Sequence, residues 1–193
     1  GSSKFAKGHQ WGFFPSVALA WNVAREDFLK DSEQISQLRL RFGYGNVGNQ
    51  RIPDYAFYSL YNPAYSAGQV SFNSSGLRGS PELTWENQRQ LNVGLDIGLF
   101  GDRFTLTAEY FDIVNSNLLM RRSLSTLTGY REAIVNIGEM TNRGVELSVN
   151  ANIIRNNNFN WDLSANISSD KNTITKLYGD VDAIYAFGGF TGT

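Results

Sequence analysis

Between Gln90 and Leu99 the chain alternates without a break: Leu91, Val93, Leu95, Ile97 and Leu99 are apolar, and Gln90, Asn92, Gly94, Asp96 and Gly98 between them are polar or lack a side chain. Successive side chains of a β-strand point to opposite faces, so a strand gathers all these apolar groups on one side, whereas a helix would scatter them around its axis. The period returns along the chain. In RFTLTAEYFD, Phe104, Leu106, Ala108 and Tyr110 oppose Thr105, Thr107 and Glu109; in RGVELSVNANI, Val145, Leu147, Val149, Ala151 and Ile153 oppose Gly144, Glu146, Ser148, Asn150 and Asn152. NWDLSANIS sets Trp161, Leu163, Ala165 and Ile167 on one face, LRLRFGYG sets Leu38, Leu40, Phe42 and Tyr44, and FPSVALAW sets Val17, Leu19 and Trp21. Six strands of one all-β structure are predicted.

Two environments suit strands of this kind. A soluble β-sandwich buries its apolar faces against each other and wets the others. The wall of a transmembrane β-barrel turns its apolar face to lipid and its polar face to a hydrated lumen. Length points to the barrel: globular strands cluster at about five or six residues, a tilted membrane-spanning strand needs about 9–11, and several of these segments reach the longer class. Gly, Asn, Ser, Thr and single charges on the polar faces suit a lumen.

The connections add an asymmetry. Tight turns are predicted around Gly101-Asp102 and over residues 155–158, while long loops over residues 47–84 and 117–140 join the opposite strand ends. Outer-membrane barrels have short periplasmic turns and long extracellular loops. AREDFLKDSEQISQ, between Trp21 and Leu38, is the exception, reading as one short amphipathic helix on the periplasmic side with Phe28, Leu29 and Ile35 as its apolar contacts. Trp21, Phe104 and Trp161 lie on the apolar face beside the short turns, and Tyr44 and Tyr110 lie on it nearer the loops. These five are predicted to form the membrane girdle; the alternative is that they cap an ordinary β core.

Composition removes several function classes. The formal net charge is -1, so no basic field draws nucleic acid. There is no Cys, and the single His, His9, stands alone among Gly, Lys and Gln, so neither a metal site, a cofactor nor a nucleophile-base pair is expected, and the chain is not expected to be an enzyme. No apolar run reaches the ~18 residues of a transmembrane helix, a test that β-barrels escape. Gly43 to Gly48 reads GYGNVG, yet Pro53 and no helical period follow, so the dinucleotide-binding reading is rejected. Asp96, Glu109, Glu146 and Asp162 each sit on the polar face of a separate strand, where salt bridges or hydration with Arg39 and Arg41 account for them. Phe57, Tyr58, Tyr61 and Tyr65 cluster in FYSLYNPAYSAG, and Trp85 follows in SPELTWEN. Of these, Tyr58, Tyr61, Tyr65 and Trp85 are the candidate substrate-binding residues, since rings flanked by amides and hydroxyls suit a carbohydrate or peptide; loop packing would use the same groups.

Four segments carry a further signal: GSSKFAKGHQWGFFPSVALAWN, EDFLKD with SQLRLRFGYGNVGNQ, SPELTWENQRQLNVGLDIGLFGDRFTLTAEYFD, and NIGEMTNRGVELSVNANIIRNNNFNWDLSANIS. In order, spacing and loop position they resemble the C-terminal barrel portion of the SusC-like (SusC/RagA) TonB-linked outer-membrane proteins. The likeness extends over residues 1 to about 176, departing at Ser80, where the family often has Asn. It implies an antiparallel barrel of ~22 strands, of which residues 1–193 would be a fragment without the plug domain. It further implies a multi-pass protein of the Gram-negative outer membrane that imports glycans, peptides or similar nutrients. The implied partners are a SusD-like extracellular lipoprotein lid, outer-membrane lipid, an oligosaccharide or peptide substrate, and the TonB complex acting through parts outside these residues. A soluble β-sandwich that binds carbohydrate is the alternative.

Overall fold

The computed structural model describes residues 1–66 and 68–177. Its strands are β1 (Ser16–Asn22), β2 (Ile35–Asn49), β3 (Tyr61–Ser66), β4 (Gln69–Ser74), β5 (Leu77–Arg78), β6 (Glu86–Leu99), β7 (Phe104–Ser116), β8 (Leu119–Ser123), β9 (Glu132–Asn136), β10 (Glu139–Arg155) and β11 (Asn160–Lys176). The six periodic segments become one antiparallel sheet in the order β1-β2-β6-β7-β10-β11. β3 and β4 form a separate hairpin, and β5, β9 and β8 form a third sheet; both lie within the long connections.

Register converts the sequence period into two continuous surfaces. Trp21 pairs with Leu40, Leu40 with Leu95, Leu95 with Ala108, Ala108 with Leu147 and Leu147 with Ile167, so one row crosses all six strands with apolar side chains only. The row through Leu38, Ile97, Leu106, Val149 and Ala165 lies one step nearer the short turns. On the other face, Arg39, Asp96, Thr107, Ser148 and Asn166 form a polar row. Directly opposite side chains in neighbouring strands lie about 4.5–5.5 Å apart, so each apolar row is a chain of favourable pairs.

Among the described residues the apolar face has no protein cover. Leu19, Val145 and Ile167 are 64%, 54% and 68% exposed. A sandwich would bury them, and among the described residues no second sheet is layered on this one. The soluble-sandwich alternative is therefore set aside.

Strand lengths exceed the periodic segments. β10 and β11 each run 17 residues, because the backbone ladder continues past the apolar belt into Thr141 to Arg143 and Asp170 to Thr173, where polar residues occupy both faces. Alternation cannot mark that part of a strand. GYGNVG falls inside β2, with no helix after it.

The short-turn side is pinned by side chains. Between β6 and β7, Phe100, Gly101 and Asp102 all have positive φ, a conformation natural only for the Gly. The strain at Asp102 is held by β2: the Ser36 hydroxyl donates to the Asp102 carboxylate at 2.6 Å and accepts from the Asp102 N–H at 3.0 Å. Arg103 donates to the carbonyls of Asn152 and Ile153, tying the same turn to β10. Between β10 and β11 the Asn156 side chain accepts from the N–H groups of Asn158 and Phe159. The helix expected between β1 and β2 is limited to a 3-10 turn, Val23–Arg25, followed by hydrogen-bonded turns from Glu26 to Lys30. Phe28, expected as a contact there, is 71% exposed, whereas Val23 is buried.

Leu95 stands in the all-apolar row and Asn92 on the opposite face of the same strand. Leu95→Arg is expected to cost about 2–4 kcal/mol at the bilayer midplane, and Asn92→Arg to be tolerated. Unfolding of the two variants of the full-length protein in lipid bilayers measures this; equal tolerance would count against a lipid-facing apolar side.

Candidate functional site

The polar face is organised by one arginine. From β2, Arg41 reaches across Gly94 of β6 and donates from Nε and Nη2 to both oxygens of Asp96, at 2.9 and 3.1 Å, and from Nη1 to Glu109 of β7 at 2.6 Å. Thr107 adds a hydroxyl donor to Asp96 at 3.2 Å. A Cβ at position 94 would stand 2.8 Å from the guanidinium carbon, so the missing side chain is what lets Arg41 lie flat over the strand. The fork geometry of Arg matches a carboxylate bidentately, which makes this a directed link among three strands rather than a loose surface pair. The expected carboxylate–arginine pairing thus forms at Arg41. Arg39 faces Asp96 in the register yet makes no side-chain hydrogen bond or ion pair among the described residues.

At the long-loop end the chain builds its only substantial apolar cluster among the described residues. Phe5, Ile52, Ala56, Leu83 and Ile134 are buried together, with Leu77, Trp85 and Leu119 packed against them. These residues come from the N-terminal segment and both long connections, so three distant stretches share one core. Phe5 and Leu83 are 0% and 1% exposed. Trp85 meets Phe5 at 5.2 Å and Phe14 edge-on at 5.4 Å between ring centroids. Asn136 adds a polar clasp, accepting from the Thr84 N–H and donating to the carbonyls of Thr84 and Asn117.

The four candidate substrate-binding residues divide between packing and exposure. Trp85 is half-buried in this cluster, with its ring engaged on both sides. Tyr58, Tyr61 and Tyr65 are exposed, Tyr65 to 81%. Tyr65 projects from the β3–β4 hairpin, Tyr58 lies against Phe57 at 4.3 Å, and Tyr61 shares a 3.0 Å hydrogen bond with Tyr130 of the second loop. A hydrogen bond with Ser59, then one with Tyr61, and the charge of Arg78 hold the Tyr130 phenol below the usual tyrosine range, while the bond to Tyr130 pushes Tyr61 up. Beside Tyr130 lies an open cleft of about 570 Å³, lined among others by Phe72, Asn73, Ser74 and Arg131. The sequence reading did not single out Tyr130; spacing in one loop carries no information about a partner 69 residues away.

The five aromatics expected to form a girdle stand on the apolar face. Trp21, Phe104 and Trp161 at the short-turn end, and Tyr44 and Tyr110 at the other, are all partly exposed there. Trp21 directs its indole N–H to Glu26 at 2.8 Å, the arrangement of an aromatic with one apolar and one wet end.

Comparison with known proteins places this geometry in context. Residues 1–190 match the family model described as TonB dependent receptor-like, beta-barrel. The chain is 39% identical over 180 residues to TonB-dependent receptor P3 of Formosa agariphila, covering 92% of this chain and 18% of that protein. It is 38% identical over 193 residues to TonB-dependent receptor SusC of Bacteroides thetaiotaomicron, covering 96% of this chain and 19% of that protein. A solved structure of the RagAB peptide importer in the closed-closed state superposes with a TM-score of 0.83 at 29% identity, covering 93% of this chain and 20% of that one. The chain thus spans about a fifth of the length of the relatives it matches.

Phe5→Ala or Trp85→Ala is expected to remove about 3–5 kcal/mol of packing from the loop cluster, by lost burial plus the cavity left behind. Limited proteolysis of the full-length protein in detergent should then cut faster within residues 50–85 and 117–138, with β-sheet circular dichroism unchanged. Loss of the sheet signal in step with loop cleavage would show instead that cap and sheet unfold as one unit.

Proposed function

The chain belongs to the TonB dependent receptor-like β-barrel family, and on that premise we propose that its six-stranded sheet is a sector of the wall of an outer-membrane nutrient importer. The family is one of transporters, not enzymes. The observation that carries the reading is the single-layer sheet itself: long strands, one continuous apolar face uncovered among the described residues, and an opposite polar face on which Arg41 pairs with Asp96 and Glu109. Only a bilayer on one side and a hydrated lumen on the other suit both surfaces.

Residues 1–193 are read as wall and extracellular loops, with the plug and the TonB-contacting motif assigned to other parts of the receptor. Trp21, Phe104 and Trp161 would anchor the periplasmic interface, and Tyr44 and Tyr110 the extracellular one. The exposed rings of Tyr58, Tyr61 and Tyr65 are proposed as contacts for a glycan or peptide, with Trp85 beneath them holding the loops in place. The likeness to SusC and to the RagAB peptide importer supports an imported oligomer as substrate, a SusD-like lipoprotein as lid over the loops, and energy from the TonB complex.

The full-length receptor should leave outer-membrane fractions only in detergent, with a lipoprotein co-purifying. Replacing Tyr58, Tyr61 and Tyr65 by Ala should weaken binding of its oligosaccharide or peptide substrate by about two- to tenfold per ring that stacks. A monodisperse protein without detergent would overturn the wall assignment; an unchanged affinity in the triple variant would overturn the loop contact alone.

A further inference from the structure

We infer that the lipid-facing side carries a site for the phosphate of a lipid headgroup, at the border between the apolar belt and the long loops. The inference rests on the membrane-wall reading above. On that face, the row Tyr110, Val145 and Ser169 is followed, one step nearer the loops, by Asp112, Arg143 and Lys171. The row after that holds Val114, Thr141 and Thr173. Tyr110, then Arg143 and Lys171 beside Asp112, then Thr141 and Thr173 follow the order in which a strand leaves hydrocarbon and enters the headgroup layer.

A cleft of about 220 Å³ opens at this level, lined by Thr141, Arg143, Lys171, Thr173 and Thr175. Its chemistry is that of a phosphate site: one planar guanidinium, one ammonium and three hydroxyls, with no carboxylate in the lining. The neighbouring acids leave the terminal nitrogens of Arg143 and the ammonium of Lys171 available among the described residues. Asp112 takes only Nε of Arg143, at 3.1 Å, so the terminal guanidinium nitrogens make no hydrogen bond among the described residues. Glu139 is occupied by the Thr175 hydroxyl at 2.8 Å. Lys171 has no ion pair among the described residues. Cations at the edge of a hydrocarbon belt are costly unless they meet anions; Asp112 meets Arg143 through Nε alone, and headgroup phosphates are the further anions on that side. The cleft faces away from the lumen, so an imported substrate passing through the barrel does not reach it.

The test uses the full-length receptor in neutral detergent, with binding of purified lipid A, dephosphorylated lipid A and inorganic phosphate followed by native mass spectrometry. Each basic side chain near an anionic headgroup is worth about fivefold, so Arg143→Ala/Lys171→Ala should bind lipid A about 25-fold more weakly. Lys171→Ala alone should lose about fivefold, which keeps the test open if removing Arg143 unsettles Asp112. Arg39→Ala, on the opposite face, should bind as the unaltered receptor does, and dephosphorylated lipid A should bind no better to the receptor than to the double variant. Equal lipid A binding by all variants overturns the site. Full displacement of lipid A by inorganic phosphate at equal concentration would reassign the cleft to free phosphate. A receptor that stays monodisperse without detergent would overturn the wall reading and this site with it, whereas detergent dependence with unaltered lipid A binding overturns the site alone.

Discussion

Register is the constraint on which everything else in this chain rests. With a side-chain period of two, a slip of one residue in any strand pair would send that strand's apolar groups to the polar face and its charges to the apolar face. The ladder from β1 to β11 shows no such slip across the belt; its irregularities fall at Ile35/Gln37, Glu139/Met140 and Asn152/Ile154, near the strand ends. Turn chemistry enforces this locally. The Gly101 turn sets β6 against β7, the Ser36–Asp102 pair locks that turn onto β2, and Arg103 locks it onto β10. One short loop thus indexes four strands.

Arg41 does comparable work in mid-sheet. Its bidentate grip on Asp96 and its bond to Glu109 hold β2, β6 and β7 in register from the polar side. The geometry closes only because residue 94 has no side chain. Glu146 stands directly opposite Glu109, a like-charge pair that costs stability in isolation. The charge of Arg41 on Glu109 relieves it, which explains why a strand face that must stay wet can still carry carboxylates on adjacent strands.

How much of this was legible in the sequence follows from the range of the interactions. The six strands of the main sheet, the two tight turns and the placing of Trp21, Tyr44, Phe104, Tyr110 and Trp161 on the apolar face follow from a period of two and local turn residues, which act over a few positions. The outer ends of β10 and β11 were not legible, because beyond the belt both faces are wet and alternation disappears. The long connections hid more. The pairing of β5 with β9 and the docking of Phe5 beside Leu83 and Ile134 depend on contacts between segments far apart in the chain. Trp85 illustrates the ambiguity: an aromatic in a polar loop has the same local signature whether it meets a ligand or a neighbouring phenylalanine. Only the positions of Phe5 and Phe14 decide that it packs.

The two ends of the sheet therefore solve different problems. At the turn end, no buried apolar cluster forms among the described residues, and order comes from hydrogen bonds of fixed geometry between side chains and backbone. At the loop end, order comes from burial, which is non-directional and tolerates exchange of surface residues so long as Phe5, Leu83 and their neighbours stay covered. Because the cluster is made by the connections and the N-terminal segment, rather than by the wall, residues such as Tyr65 can vary without touching the ladder below. The wall draws its register from hydrogen bonds at the turn end, whereas the loops carry a core of their own.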